Sequence, residues 1–312
     1  MSKIKFGWHM PSFAVDNSSG ATLVRQMANV LTKIQSTFDT AWMDDHVQPW
    51  AQFVPRETDV LECTTTIAHL ATAFPQIMFG SMVMCQSYRN PGLTAKMAAN
   101  LQLVTGGRFI LGLGAGWMEE EYLAYDFDFL KASTRIAQLD ETIQIVRQLW
   151  TQSPANFAGE YYHLKDAYCH PKPDPIPPIM VGGGGEKLTL RVVAKHADWW
   201  NFHQNSPETY AHKLNVLRSH CEAVGRDFND IVKTYGAEVV AIAETEAEAR
   251  RIAEATPYSD NYPIIGTPDQ VAEQLRPYID LGVEHIIVRC VDFPSTAGIE
   301  LFAQAVIPQL SN

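Results

Sequence analysis

Short apolar runs of strand length alternate with amphipathic helical runs eight times along this chain, and that rhythm limits the fold more than any other feature. The strand-like runs are Ile4–Met10, Phe38–Met43, Ile77–Met84, Phe109–Leu113, Ile179–Val181, Trp199–Phe202, Val232–Ala243 and His285–Cys290. Helical patterns fall at Ala21–Gln35, Val60–Ala73, Leu93–Leu103, Arg135–Trp150, Lys187–Lys195 and Tyr210–Val224. Glu246–Ala255 and Pro268–Leu281 precede the last strand, and a closing helix runs from about Gly298 to Val306. One-way connections of this kind predict a parallel sheet with its helices outside. Eight units in 312 residues close most simply as a single α/β domain, a (β/α)8 TIM barrel over residues 1–312. A doubly wound open sheet is the alternative, but no Gly-x-Gly-x-x-Gly turn follows the first strand. Thr151–Pro178, rich in proline, interrupts the rhythm. It reads as an inserted excursion between the fourth helix and the fifth strand, with a short hairpin built on Glu160–Leu164.

Charge narrows the partners. Lys and Arg total 24 against 35 Asp and Glu, a net −11 with no basic cluster, which argues against nucleic acid and against an anionic membrane surface. The five cysteines are odd in number, scattered and without a CxxC, as reduced cytoplasmic thiols would be. The sequence starts directly on a strand and shows no signal peptide or membrane-length apolar run, so a cytoplasmic protein is expected.

In a barrel the chemistry sits just past the strand ends. The second strand breaks abruptly into Asp44, Asp45, His46, Gln48, Pro49 and Trp50. This is an active-site profile, although a capping loop would use similar residues. No lysine ends a strand, which argues against a Schiff-base aldolase. His9 lacks a second histidine nearby, so a metal site is not expected. Asp44 or Asp45 with Glu119–Glu121 keeps a glycosidase formally open. The glycine run Gly182, Gly183, Gly184 and Gly185, set between a strand and a helix, suits backbone capture of a phosphate. Lys187 and Arg191 either add charge there or are solvated surface residues. Gly112, Gly114 and Gly116 make room for a flat ligand or for packing against a helix, and Met82, Val83 and Met84 offer apolar surface to a ring. The set suits a phosphorylated, planar redox cofactor better than hydrolysis.

These residues carry a family resemblance over nearly the whole chain. Ile4–Phe13, Trp42–His46, Tyr88-Arg89-Asn90-Pro91, Thr105-Gly106-Gly107-Arg108 and Gly112–Trp117 with Glu121 resemble the bacterial luciferase-like monooxygenase superfamily. So do Pro177–Gly183, Ala197–Asn201 and Gly266–Gln270. The resemblance implies a TIM barrel that binds FMN or a deazaflavin. Asp45–Trp50 is similar to the segment of deazaflavin-dependent glucose-6-phosphate dehydrogenases in which His and Trp face the reactive ring. Gly116–Glu121 with Tyr125 resembles a deazaflavin-dependent branch, and Trp117 stands where the sugar-phosphate dehydrogenases carry an acidic residue. The family likeness also implies a non-proline cis peptide at Met82–Val83, supporting the ring.

The implied function is hydride transfer between a small organic substrate and a bound deazaflavin, coenzyme F420. His46 is the expected acid/base group, Asp45 the residue orienting its tautomer, and Trp50 and Trp117 the pocket walls. Met82, Val83, Gly114 and Gly116 are expected at the ring and Gly182–Gly185 at the phosphate, with Glu121 and Phe202 in the substrate pocket. A homodimer is expected. The alternatives are an FMN-dependent monooxygenase supplied by a flavin reductase, and a flavin-binding protein without catalysis.

Overall fold

The computed structural model describes residues 4–203, 205–258 and 262–311. Eight parallel strands close on themselves: β1 (Lys5–Met10), β2 (Thr40–Met43), β3 (Met78–Ser81), β5 (Phe109–Gly114), β8 (Ile179–Gly182), β9 (Trp199–His203), β10 (Val232–Ile242) and β12 (His285–Cys290). Each pairs in parallel with the next, and β12 returns to β1 with Lys5 opposite His285 and Trp8 opposite Val288. The expected TIM barrel is therefore the fold. The helices α1 (Gly20–Ile34), α2 (Cys63–Ala73), α3 (Pro91–Val104), α5 (Ala132–Thr151), α6 (Thr189–His196), α7 (Pro207–Val224) and α9 (Pro268–Asp280) follow the strands. Their starts are written in side chains: Ser19 accepts from Thr22 N–H, Asn90 from Gly92 N–H just before Pro91, and Ser206 from Thr209 N–H.

Trp42 fills the barrel interior with Met82, Ile110, Met180 and Ile287. The indole fits because β1 and β3 carry glycines beside it. A Cβ on Gly7 would come within 2.6 Å of Trp42 Nε1, and one on Gly80 would strike the six-membered ring. Its Nε1–H donates to Thr40 Oγ1 at 2.6 Å, and that hydroxyl meets His285 Nε2 at 2.8 Å. Burial and nearby Lys5 push the His285 pKa down to about 3, so it is a neutral member of the core.

The elements depart from the sequence pattern in five places. The expected strand Ile77–Met84 is split: β3 ends at Ser81, a cis Met82–Val83 peptide follows as the family likeness implies, and β4 is only Met84–Cys85. A short helix α4 (Glu119–Ala124) precedes α5, and β11 (Ile264–Gly266) adds to β10 between α8 (Glu246–Ala255) and α9. In the excursion the hairpin strands are β6 (Ala155–Ala158) and β7 (His163–Ala167), so Glu160–Leu164 is mostly the turn. The Glu141 carboxylate holds that turn by accepting from the N–H groups of Glu160, Tyr161 and Tyr162. The closing helix is α10 (Ala297–Leu301), which continues as a π-helical turn, Phe302–Val306, and then α11 (Ile307–Leu310). No helix among the described residues is long and apolar enough to cross a membrane.

Candidate active site

Because every barrel strand runs the same way, all eight C-terminal ends meet at one mouth, where a cavity of about 710 Å3 opens. His46, Trp50, Met82, Val83, Gly114, Gly116, Trp117 and Gly182–Gly185 all line it, so one volume gathers most of the expected site.

His46 leaves β2 and turns into an aromatic triangle. Its ring centroid lies 5.2 Å from that of Trp50 and 5.8 Å from that of Trp117, and the two indoles are 5.8 Å apart, every pair edge to face. Nδ1 donates to Glu121 Oε2 at 2.9 Å, which leaves the opposite ring edge, with Nε2, for the cavity. Glu121 is wholly buried and accepts further bonds from Val47 N–H (2.5 Å), Gln48 N–H (3.0 Å) and the Tyr88 hydroxyl (2.5 Å). Burial opposes charge on both partners. For His46 the bond to Glu121 and the nearby Asp44 and Asp45 outweigh that burial and raise its pKa above the usual value. For Glu121 the same bond, with Tyr88 and Val47, lowers its pKa.

Three expected roles are corrected. Asp45 does not orient His46, because consecutive residues of an extended chain point opposite ways. It accepts two parallel bonds from Arg89, Nη1–Oδ2 at 2.6 Å and Nη2–Oδ1 at 2.7 Å, and a third from Cys85 N–H at 3.0 Å. Glu121 is not in the substrate pocket but behind His46, in the role given to Asp45. Phe202 is not in the lining. It packs under the glycine loop, where a Cβ on Gly184 would strike its ring.

A second charged group lies at neighbouring strand ends, and the sequence reading passed over it. His9 Nε2 is 3.0 Å from Asp44 Oδ1 and its Nδ1 is 2.9 Å from Glu238 Oε2. Arg289 Nη2 sits 3.0 Å from Nδ1 and 2.8 Å from Nε2, over the ring, and 3.3 and 3.4 Å from the two carboxylates. All four residues are buried. Against the cost of burial and the Arg289 charge, the two carboxylates raise the His9 pKa, while Glu238 and Asp44 are held low by His9 and Arg289. Glu238 faces inward by the alternation of β10, on the face of Thr234 and Gly236, where a Cβ on Gly236 would come within 3.2 Å of its Oε1; β10 bulges just past it, because Ala237 pairs with Val288 and Val240 with Cys290. Lone charges inside otherwise apolar strand runs were the available signal, since a buried charge must be paired.

The other walls fit a flat, phosphate-bearing ring. Val83 lies between two glycines, and a Cβ on Gly114 would come within 2.6 Å of it and one on Gly182 within 3.0 Å. Those glycines therefore admit the Met82–Val83 ledge, and the ledge lines the cavity. Beyond it Gly182–Gly185 lead towards α6, with Gly183 at φ +117° and its N–H given to Asn201 O at 3.0 Å, which leaves the N–H groups of Gly184 and Gly185 for an anion. Lys187 and Arg191 are exposed and outside the cavity lining. Trp50 Nε1 is buried without a hydrogen-bond partner among the described residues, a donor left for a ligand.

Comparison with known proteins agrees with this geometry. The chain is 25% identical to an F420-dependent glucose-6-phosphate dehydrogenase of Amycolatopsis mediterranei, covering 87% of this chain and 90% of that one. It is 24% identical to the FMNH(2)-dependent dimethylsulfone monooxygenase of Pseudomonas putida, covering 98% and 94%. Among solved structures, an F420-dependent secondary alcohol dehydrogenase in complex with an F420-acetone adduct shares the fold, with a TM-score of 0.81 over 99% of this chain and all of that one, at 17% identity. The family model for luciferase-like monooxygenases matches residues 4–263, and the chain belongs to that family.

Proposed function

We propose that this protein is an oxidoreductase moving a hydride between a small organic substrate and a bound deazaflavin, coenzyme F420. The observation that carries this reading is His46, fixed by Glu121 through Nδ1 and set between Trp50 and Trp117 at the wall of a cavity that also holds the Met82–Val83 ledge and the glycine nest. The F420-dependent dehydrogenases among its relatives support the choice of cofactor.

When bound, the deazaflavin supplies a carbon that accepts or returns a hydride. The chain supplies the rest. The Gly184 and Gly185 N–H groups of the glycine run would hold the phosphate, since Gly183 N–H donates to Asn201 O, and Met82 and Val83 would support the ring. His46 takes the hydroxyl proton of an alcohol at Nε2, or returns it to a carbonyl, and the buried Glu121 stabilises the imidazolium that forms. Trp50 and Trp117 exclude water beside that proton transfer.

The second reading, an FMN-dependent monooxygenase, draws on the relative from Pseudomonas putida. Titration with FMN and with F420, followed by tryptophan quenching, separates the two. Tighter F420 binding and no oxygen uptake with reduced FMN are expected. Preferential FMN binding with oxygen uptake would overturn the deazaflavin reading.

A further inference from the structure

We infer that the substrate of this cavity is uncharged, an alcohol or the matching ketone with an apolar portion, and that phosphorylated and carboxylated compounds are rejected. The inference rests on the oxidoreductase reading above and adds the chemical class of its substrate. Its ground is the state of every charged group at the cavity wall.

Three carboxylates, Asp44, Asp45 and Glu238, line the cavity, and no lysine does. The cations there are already engaged. His9 is held through both ring nitrogens by Asp44 and Glu238, and Arg289 over it contacts the same two carboxylates; of the other lining histidines, His203 Nδ1 faces Glu238 Oε1 at 3.5 Å and His46 Nδ1 is held by Glu121 at 2.9 Å. His9, Arg289, Asp44 and Glu238 balance, two cations against two anions. Arg89 is spent on Asp45 through two parallel bonds. Arg135, at the aromatic end, gives its guanidinium to the carbonyls of Ala115, Leu130 and Gly116 and lies 4.1 Å from the centre of the Phe129 ring.

An anionic substrate would thus be desolvated against carboxylates with no lysine and no unpaired guanidinium among the lining residues to receive it, and burial of an unpaired charge is strongly unfavourable. A hydroxyl meets the opposite situation. Ionised carboxylates accept from O–H donors, and His46 Nε2 stands ready for the reacting one. Trp50, Phe53 and Trp117 provide the apolar wall for the remainder of the molecule. Lys187 and Arg191 flank the glycine nest outside the lining, at the cofactor's phosphate and not at the aromatic end.

The test uses the intact chain loaded with the deazaflavin and matched pairs of compounds: glucose with glucose 6-phosphate, and 2-propanol with lactate. Loading is read first, by the visible absorbance of bound deazaflavin. Failure to load would count against the oxidoreductase reading alone, and the same pairs would then be titrated on FMN-loaded chain by tryptophan fluorescence. In at least one pair the neutral member should react or bind at least about tenfold better, and in neither pair should the anion lead, a difference of about 1.4 kcal/mol. Inorganic phosphate and acetate should not compete. Equal or better use of the charged member, competition by phosphate, or no binding of any neutral member would each overturn the inference. A second arm uses Glu238→Gln, checked for folding by circular dichroism. Loss of one carboxylate leaves His9 and Arg289 in excess, so acetate should become a competitive inhibitor. Unchanged indifference to acetate in folded Glu238→Gln would remove the four-residue cluster as the cause.

Discussion

His46 and His9 stand at the ends of adjacent strands, line one cavity, and are both clamped by buried carboxylates, yet they are built for opposite purposes. His46 has one carboxylate on one nitrogen, and its other nitrogen remains for the cavity. His9 has a carboxylate on each nitrogen and a guanidinium over its face. A histidine with one tethered nitrogen has a fixed tautomer and can move a proton. A histidine tethered at both is a cation held in place. On the proposed function it is the number of partners, not burial or pKa direction, that sets the chemical group apart from the structural one, since both pKa values are raised.

Substitution at the two sites should separate them most sharply. His46→Ala should lower turnover by roughly 10²–10⁴ while the cofactor still binds; turnover within a few fold of the parent enzyme would end its role. His9→Ala should instead act on stability, because it leaves Asp44 and Glu238 buried beside a single arginine. A loss of about 3–5 kcal/mol by denaturant unfolding is expected, with a much smaller fall in turnover per folded molecule than His46→Ala gives.

A smaller effect distinguishes the partners. The Glu121 carboxylate raises the His46 pKa, so Glu121→Gln should lower it and move the rising limb of kcat/KM against pH to lower pH. An unmoved profile would show that Glu121 only shapes the loop. The pair also sets a stability window with a definite sign. The His46 contribution is full below 6.5 and is lost as pH rises through its raised folded value. That of Glu121 is full above 4.5 and is lost as pH falls through its lowered one. Thermal melts of the parent against Glu121→Gln should therefore differ most between these pH values. The smallest effect is expected at Trp117, which is 59% exposed. Trp117→Ala should raise KM several fold with little change in kcat, as loss of a wall would.

The barrel was legible because strand and helix periods are local, and the alternation survives any detail of packing. Trp42–Trp50 was legible for the same reason: an apolar run that breaks into titratable residues marks a strand end. What stayed hidden depends on closure. Glu121 is 75 positions from His46, and nothing local tells it apart from Asp45, the nearer carboxylate. Glu238 gains its partners only when β10 closes beside β12 and β12 beside β1, and its run reads simply as a buried strand. Phe202 ends a strand as expected, but the glycines beside it leave space that its own ring occupies.

The pairing of β12 with β1 has a consequence in time. His9 stands on the first barrel strand and Arg289 on the last, 280 positions later. Until that arginine arrives, the two carboxylates and the imidazole that surround it have no complete set of partners, and β1 and β10 lack the strand that lies between them. The mouth of the barrel is thus finished only when its last strand docks, so a chain folded short of β12 has the walls of the cavity without its balanced charges.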